Sequence, residues 1–194
     1  MNFERIAPSV IRVGAGRGFV IDRQSNKLVL TAAHCLPVFP PCNGASLAEE
    51  RTYENLLGRI GEDAGVWAEC LFADPIADVA ILGPVDNQAL PDRWDAYIDW
   101  LDEIDGLPIG DAHSDTSKAW VMALDQSWAT CSAQCVGRLW TDGVTIDAGM
   151  SGSPIVRDDG AAIGLISVNH GPQPRFVRDL PAWLLIEDNA LDGL

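Results

Sequence analysis

The chain has 194 residues, of which 47% are hydrophobic, and this is enough to bury a core of ordinary size. Its 28 acidic and 13 basic residues give a net charge of −15, which disfavours nucleic acid and anionic membrane surfaces as partners. The sequence has no apolar run of about 18 residues, the length that a transmembrane helix needs.

Short apolar runs separated by turn residues dominate the chain, and this pattern is typical of an all-β barrel or sandwich. The first half predicts strands at residues 9–13, 18–22, 28–31, 66–73 and 79–82. The second half predicts strands at residues 119–124, 133–139, 143–146, 154–156, 162–168 and 175–177.

Three segments favour helices: residues 46 to about 60, 91 to about 104, and 179 to about 191. The first begins with Ser46 and has Glu49 three residues later, which resembles a capping box. The second places Ile98 and Leu101 on one face. The third has Pro181 in its first turn, a usual position for proline at a helix start.

The middle of the chain, residues 85–112, is an acidic connector. Between Asp86 and Asp111 it carries eight acidic residues and one basic residue, Arg93. Such a segment is either the solvated face of a helix or a docking surface for a basic partner, which here would be a regulatory protein.

The chain has five cysteines of uneven spacing: Cys35, Cys42, Cys70, Cys131 and Cys135. An odd, irregular set does not form a disulfide framework. Cys35 with Cys42, or Cys131 with Cys135, could pair or join His34 in a zinc site, although neither has Cys-x2-Cys spacing. Free, mostly buried thiols are the favoured interpretation. Since the N-terminal sequence also lacks the pattern of a signal peptide, we expect a cytoplasmic protein.

The stretch DAGMSGSPIV, residues 147–156, is a local candidate for chemistry. Gly149 and Gly152 bracket Ser151, and glycines permit a tight turn that exposes a hydroxyl. The same turn can aim two backbone N–H groups at one point, as an oxyanion hole requires. An ordinary β-turn has a similar composition, so the rest of the chain must decide between the two.

A nucleophilic serine needs a histidine base and a carboxylate that orients this base. The chain has three histidines, His34, His113 and His170, and His34 follows the apolar strand of LVLTAAHCL. Asp78 stands directly before an apolar run in ADPIADVAIL. A carboxylate at that position needs a partner for its charge, such as a histidine N–H, unless it only stabilises a turn.

The motifs LTAAHC, DPIADVAIL and GMSGSP, in this order, resemble the three signatures of trypsin-like serine proteases of the bacterial type, without zymogen activation. The resemblance covers about residues 10–176. It implies an all-β fold of two six-stranded antiparallel β-barrels, with a helical acidic connector and a C-terminal helix. Residues 1–84 would form the barrel with His34 and Asp78, and residues 113–194 the barrel with Ser151.

This resemblance also implies a role for each motif residue. Ser151 would attack the scissile carbonyl, His34 would carry the proton and Asp78 would orient the imidazole. The backbone N–H groups of Gly149 and Ser151 would hold the oxyanion. The expected function is a serine endopeptidase that acts on proteins or peptides through an acyl-enzyme, without cofactor or metal. The alternative is a weakly active or inactive protease-fold module that binds peptide strands.

The resemblance places the specificity pocket around the serine. Its floor would be Thr145 and its wall would be formed by Ile166, Ser167, Val168 and Asn169. Because the floor lacks an aspartate, we expect a small or medium apolar residue, or a neutral polar one, at the scissile position. Asp147 could shift this preference towards basic residues.

The position directly before the serine departs from the secreted digestive relatives. Met150 stands where those relatives carry an aspartate that pairs with an N-terminus freed by cleavage. Methionine cannot form this pair, so we expect a chain that is competent without N-terminal processing. Met150 would instead fill the space under the oxyanion loop.

Overall fold

The structure is a computed structural model that describes residues 2–23, 26–41, 48–112, 117–135, 139–167, 177–181 and 184. It is mostly β, as the sequence predicts, with two sheets and few helices. The first sheet consists of β1 (Val10–Val13), β2 (Gly16–Arg23), β3 (Asn26–Thr31), β4 (Thr52–Arg59), β5 (Val66–Asp74) and β6 (Val79–Gly83).

The first sheet closes into an antiparallel barrel in the order β1-β2-β3-β6-β5-β4. The pairing of β1 with β4, which sets Ile11 opposite Arg59, closes it. Apolar side chains from all six strands fill its interior, among them Val20, Leu57 and Leu82, none of which is exposed to solvent. The predicted six-stranded barrel is therefore present in the first half.

The predicted helix at residues 46–60 is wrong. A short 3₁₀ turn, Ala48–Arg51, leads directly into β4. The register of β4 on β5 shifts between Tyr53 and Leu57, and Asn55 between them has a positive φ of 49°. This bulge breaks the two-residue alternation that normally reveals a strand, and it gives the apolar residues a helix-like spacing.

The second sheet consists of β7 (Ser117–Met122), β8 (Trp128–Cys135), β9 (Leu139–Asp142), β10 (Pro154–Arg157), β11 (Ala162–Ile166) and β12 (Val177–Asp179). Its strands are antiparallel in the order β12-β11-β10-β7-β8-β9, and its two edge strands contact each other. The predicted strand at residues 143–146 is wrong, since β9 ends at Asp142. Val144 and Ile146 are buried in the second core, and this burial accounts for the apolar alternation of a segment that is not a strand.

Within the described residues two α-helices accompany the sheets: α1 (Phe3–Ile6) and α2 (Pro91–Asp102). The predicted helix in the acidic connector is confirmed. It packs on the first barrel through Tyr97 and Leu101, both of which are fully buried. Its acidic residues are exposed, and the ammonium of Lys27 donates to the carbonyl oxygen of Leu101 at its C-terminal end at 3.1 Å.

The predicted C-terminal helix at residues 179–191 lies largely outside the described residues. Asp179, its predicted first residue, ends β12. His113 and His170 also lie outside them. In the part of the chain that is described, no helix has the length and apolar character needed to cross a membrane.

A shared apolar core joins the two sheets. Phe19 and Ile81 from the first barrel pack in one cluster with Val156 and Leu165 from the second sheet. The segment after α2 pairs with both sheets, through Leu107 on β2 and Ile109 on β11. The loops that carry the candidate site therefore lie on two sheets held together by one core.

Candidate active site

His34 and Asp78 lie at the ends of two neighbouring strands of the first barrel. His34 lies in the 3₁₀ turn Ala33–Cys35 that follows β3, and its side chain is 41% exposed. Asp78 immediately precedes β6, and its side chain is only 12% exposed. Asp78 has a positive φ of 53°, a left-handed conformation that aspartate tolerates better than most residues. Because β3 pairs with β6, the ends of the two strands bring these residues together.

The carboxylate of Asp78 binds His34 through both the ring and the backbone. The Nδ1 atom of His34 lies 2.8 Å from Oδ2 and 3.0 Å from Oδ1 of Asp78. The backbone N–H of His34 donates to the same Oδ1 at 3.0 Å. The hydroxyl of Ser167 donates to Oδ2 from the second sheet. The buried charge of Asp78 therefore has the partners that its burial requires.

These contacts shift the pKa values of both partners. The hydrogen bond to Asp78 raises the pKa of His34, while partial burial opposes this shift. Burial alone would raise the pKa of Asp78, but the hydrogen bonds from His34 and Ser167 outweigh burial and hold this pKa below its ordinary value. Asp78 is therefore ionised at neutral pH, and its acceptor oxygens keep the proton of His34 on Nδ1.

Ser151 lies on a tight turn that glycines make possible. Gly149 and Gly152 have φ values of +93° and +83°, the left-handed region. A Cβ atom on Gly152 would lie 1.8 Å from the carbonyl oxygen of Arg17, so no side chain fits there. The N–H of Gly152 donates to the carbonyl of Ile166 at 2.6 Å, which anchors the turn to β11.

The hydroxyl of Ser151 donates to the carbonyl oxygen of Ser167 at 3.0 Å. Among the described contacts it makes no hydrogen bond to His34, although both residues line the same cleft. Ser167 thus contacts two of the candidate residues, through its hydroxyl to Asp78 and through its carbonyl to Ser151. The family resemblance implied that Ser167 belongs to the wall of the specificity pocket, and the sequence gave no sign of its bond to Asp78.

Two backbone N–H groups are free at the turn. Within the described residues, no acceptor takes the N–H of Gly149 or that of Ser151. Met150 between them is buried in the second core, and its sulfur accepts the N–H of Asp147 at 3.3 Å. Met150 therefore packs beneath the turn while the flanking N–H groups keep their donor capacity.

The cleft beside these residues has a volume of about 490 Å³. Its lining comes from both sheets: Ala15, Gly16, His34, Cys35, Ile146, Asp147, Ala148, Gly149 and Ser151. Asp147 is exposed and is the only carboxylate among the described residues that line the cleft. The cleft therefore carries a local negative charge in addition to that of the whole chain.

The residues assigned to the specificity pocket have different environments. Thr145 is exposed, whereas Ile166 is fully buried in the second core. The N–H of Ile166 donates to Ser153 and its carbonyl accepts from Gly152, so Ile166 supports the serine turn. Val168 and Asn169 lie outside the described residues.

Cys35, Cys70 and Cys131 are buried in the described core, and Cys35 and Cys70 are free thiols. Burial raises the pKa of Cys35 to about 11, so this thiol stays protonated at neutral pH. It donates to the carbonyl of Ser151 at 3.6 Å and is a poor nucleophile in this form. In the described part of the chain, no three His, Cys, Asp or Glu residues are grouped as a metal site would require.

The chain matches the model of a known protein family. The model of the trypsin-like peptidase domain family matches residues 16–165. No curated protein sequence matches the chain.

Many solved structures are similar in fold, and two of them serve as examples. One is the inactive form of the Rv3671c protease, with a TM-score of 0.53 and 19% identity, covering 90% of this chain and 84% of that one. The other comes from work on how aromatic interactions drive the coupled folding and binding of the disordered Sesbania mosaic virus VPg protein. It has a TM-score of 0.57 and 17% identity, covering 89% of this chain and 85% of that one.

Proposed function

The chain belongs to the trypsin-like peptidase domain family, and on this premise we propose that it is a serine endopeptidase. Ser151 is the nucleophile, His34 the general base and Asp78 the residue that orients the base. The observation that carries the proposal is the double contact of His34 with the buried carboxylate of Asp78, on a cleft that Ser151 also lines.

The reaction begins with a rotation of Ser151. Its hydroxyl exchanges the carbonyl of Ser167 for Nε2 of His34, a change of rotamer that trades one hydrogen bond for another. Nε2 accepts the proton as Oγ attacks the scissile carbonyl carbon, and the carbonyl π electrons move to oxygen. Asp78 stabilises the imidazolium that forms.

The N–H groups of Gly149 and Ser151 hold the negative oxygen of the tetrahedral intermediate. Loss of one donor of this kind lowers the rate by about 10²–10³-fold in hydrolases of this chemistry. When the intermediate collapses, the C–N bond breaks and the imidazolium gives its proton to the leaving amine. Water activated by His34 then hydrolyses the acyl-enzyme and restores Ser151.

One observation favours a second candidate, a protease-fold module that binds peptide strands with little or no turnover. The hydroxyl of Ser151 is bonded to Ser167 instead of the imidazole. If that hydrogen bond persists with a peptide in the cleft, the serine is never deprotonated and the cleft only binds.

We also propose that the protein works in a reducing compartment such as the cytoplasm. The free, buried thiols of Cys35 and Cys70 support this, because oxidising compartments favour disulfides.

The function is tested with a peptide library incubated with the wild type, Ser151→Ala and His34→Ala, with cleavage products identified by mass spectrometry. Ser153→Ala is the matched control, because it removes a neighbouring buried hydroxyl that has no partner among the described residues. Cleavage by the wild type and the control, lost in the other two, supports the peptidase. Retention of peptides without cleavage by a folded wild type supports the binding module.

A further inference from the structure

We propose that Arg17 is a positioning residue for the reaction: its buried guanidinium ties the β7–β8 hairpin to the strand that supports the serine turn, and so holds Gly149 and Ser151 in place. The inference rests on the proposed function. Arg17 is neither the general base nor the nucleophile, and it does not line the cleft.

Arg17 is a buried cation held by carbonyl groups. Only 4% of it is exposed. Its Nη1 donates to the carbonyl of Met122 at 2.8 Å, and its Nη2 donates to those of Ala123 and Leu124 at 3.1 and 3.4 Å. In the described part of the chain no carboxylate pairs with it, so the carbonyl dipoles of the hairpin are what stabilise its charge. Arginine suits this role because its planar group directs several donors at once.

The backbone of Arg17 contacts the serine turn directly. Its N–H donates to the carbonyl oxygen of Ser151 at 2.7 Å. Its own carbonyl oxygen accepts the hydroxyl of Thr31 at 2.7 Å and lies against the backbone of Gly152. A displacement of Arg17 would therefore displace both Ser151 and Gly152, the nucleophile and the residue that follows it.

The hairpin that the guanidinium holds contacts the other end of the turn. Leu124, at the tip of the hairpin, lies beside Gly149, with its Cδ2 atom 3.6 Å from where a Cβ of Gly149 would be. Arg17 thus supports Ser151 through its main chain and supports Gly149 through the hairpin. These are the two residues whose N–H groups would hold the oxyanion.

The expected effect is on the chemical step. Arg17→Met keeps an unbranched apolar stem but removes the guanidinium, so it leaves the hairpin carbonyls without their donor. We expect kcat to fall about 10–100-fold with KM unchanged, since displacement of a catalytic group by about 1 Å can cost about 100-fold. Arg17→Lys keeps the charge with a compact ammonium, and its kcat should lie between those of the wild type and Arg17→Met.

Arg12→Met is the matched control. Arg12 lies on the neighbouring strand and also donates to carbonyls, to Gly14 at 3.2 Å and to Glu62 at 2.9 Å. Both of these carbonyls lie within the first barrel. Loss of the Arg12 guanidinium therefore leaves the contact between Arg17 and the β7–β8 hairpin intact. We expect Arg12→Met to keep the kcat of the wild type.

The experiment measures kcat and KM on a cleaved peptide together with amide hydrogen exchange of the segment 147–153. Slower turnover and faster exchange in Arg17→Met, with Arg17→Lys intermediate and Arg12→Met unchanged, support the proposal. Wild-type kcat and exchange in a folded Arg17→Met overturn it. If Arg17→Met does not fold, Leu124→Ala decides, because Leu124 is 49% exposed and its truncation spares the core. Unchanged kcat and exchange in that variant also overturn the proposal.

Failure of the proposed function gives a different result. In that case the folded wild type has no turnover at all, while hydrogen exchange still compares Arg17→Met with Arg12→Met. Faster exchange of segment 147–153 in Arg17→Met alone then supports the positioning role by itself. Equal exchange in the two variants overturns it.

Discussion

His34 gives both its ring and its backbone to the carboxylate of Asp78, with Nδ1 at 2.8 Å from Oδ2 and the backbone N–H at 3.0 Å from Oδ1. Two bonds from one residue to one carboxylate hold the orientation of the imidazole as well as its position. The ring nitrogen that faces away from Asp78 is then the one available to a substrate or to Ser151.

The pH profile should follow from this contact. Because Asp78 raises the pKa of His34, kcat/KM should rise with pH and reach half of its plateau above the ordinary histidine value of about 6.5. Asp78→Asn removes the charge, so the half-point should move down and kcat should fall by about 10⁴-fold, as for this change in a Ser-His-Asp protease. A profile with the same half-point in both proteins would contradict the coupling.

Ser167→Ala tests the bond between Ser167 and Asp78. The change removes the hydroxyl that donates to Asp78 and keeps the carbonyl that accepts from Ser151. A hydrogen bond to a charged group contributes about 1.5–3 kcal/mol, so we expect kcat to fall about 10-fold or more. Ser153→Ala is the control, and we expect its activity to be unchanged because the Ser153 hydroxyl has no partner among the described residues. Equal activity in both variants would show that the Ser167 hydroxyl does not matter.

Gly152→Ala tests the closeness of the serine turn to β2. The new methyl group would overlap the carbonyl oxygen of Arg17, so we expect loss of activity and a drop of several kcal/mol in the free energy of unfolding. Gly61→Ala separates this clash from backbone strain. Gly61 has a similar φ of +87°, but a Cβ atom added there would meet no other atom within 4 Å. Gly61→Ala should therefore lower the free energy of unfolding by only about 1–2 kcal/mol and keep activity. Urea unfolding measures the loss of stability in both variants, and similar losses in Gly152→Ala and Gly61→Ala would contradict the predicted clash.

Asp147→Asn tests the charge of the cleft. Asp147 is exposed on the cleft and should attract substrates with lysine or arginine near the scissile bond. An exposed charge pair contributes up to about 1 kcal/mol, so the variant should lower kcat/KM for these substrates by about 2–5-fold and leave neutral ones unchanged. Asp99→Asn, on the exposed face of α2, makes the same charge change elsewhere and should have no effect. Profiling that showed strict cleavage after glutamate would contradict this preference.

The sequence was most informative where chemistry imposes a local pattern. The motifs around His34, Asp78 and Ser151 singled out three residues that the structure brings close together: His34 contacts Asp78, and His34 and Ser151 line the same cleft. The helix α2 was also predictable, because its apolar residues recur at helical spacing over three turns.

Features that depend on distant partners could not be read from the sequence. The bulge at Asn55 hides the period of β4, so the strand was mistaken for a helix. Arg17, a charged residue between two glycines, is typical of an exposed turn, and only the carbonyls of the β7–β8 hairpin explain its burial. Ser167 meets Asp78 across the two sheets, a contact for which neither motif carries a signal.

The most direct test of the central claim is labelling of the folded wild type and of Ser151→Ala with a fluorophosphonate, followed by peptide mapping. The account predicts modification of Ser151 in the wild type, and no modification in the variant, because only a serine activated by its histidine reacts readily with such a probe. A folded wild type that remains unlabelled, or a variant that is labelled as fast as the wild type, would contradict the assignment of Ser151 as an activated nucleophile.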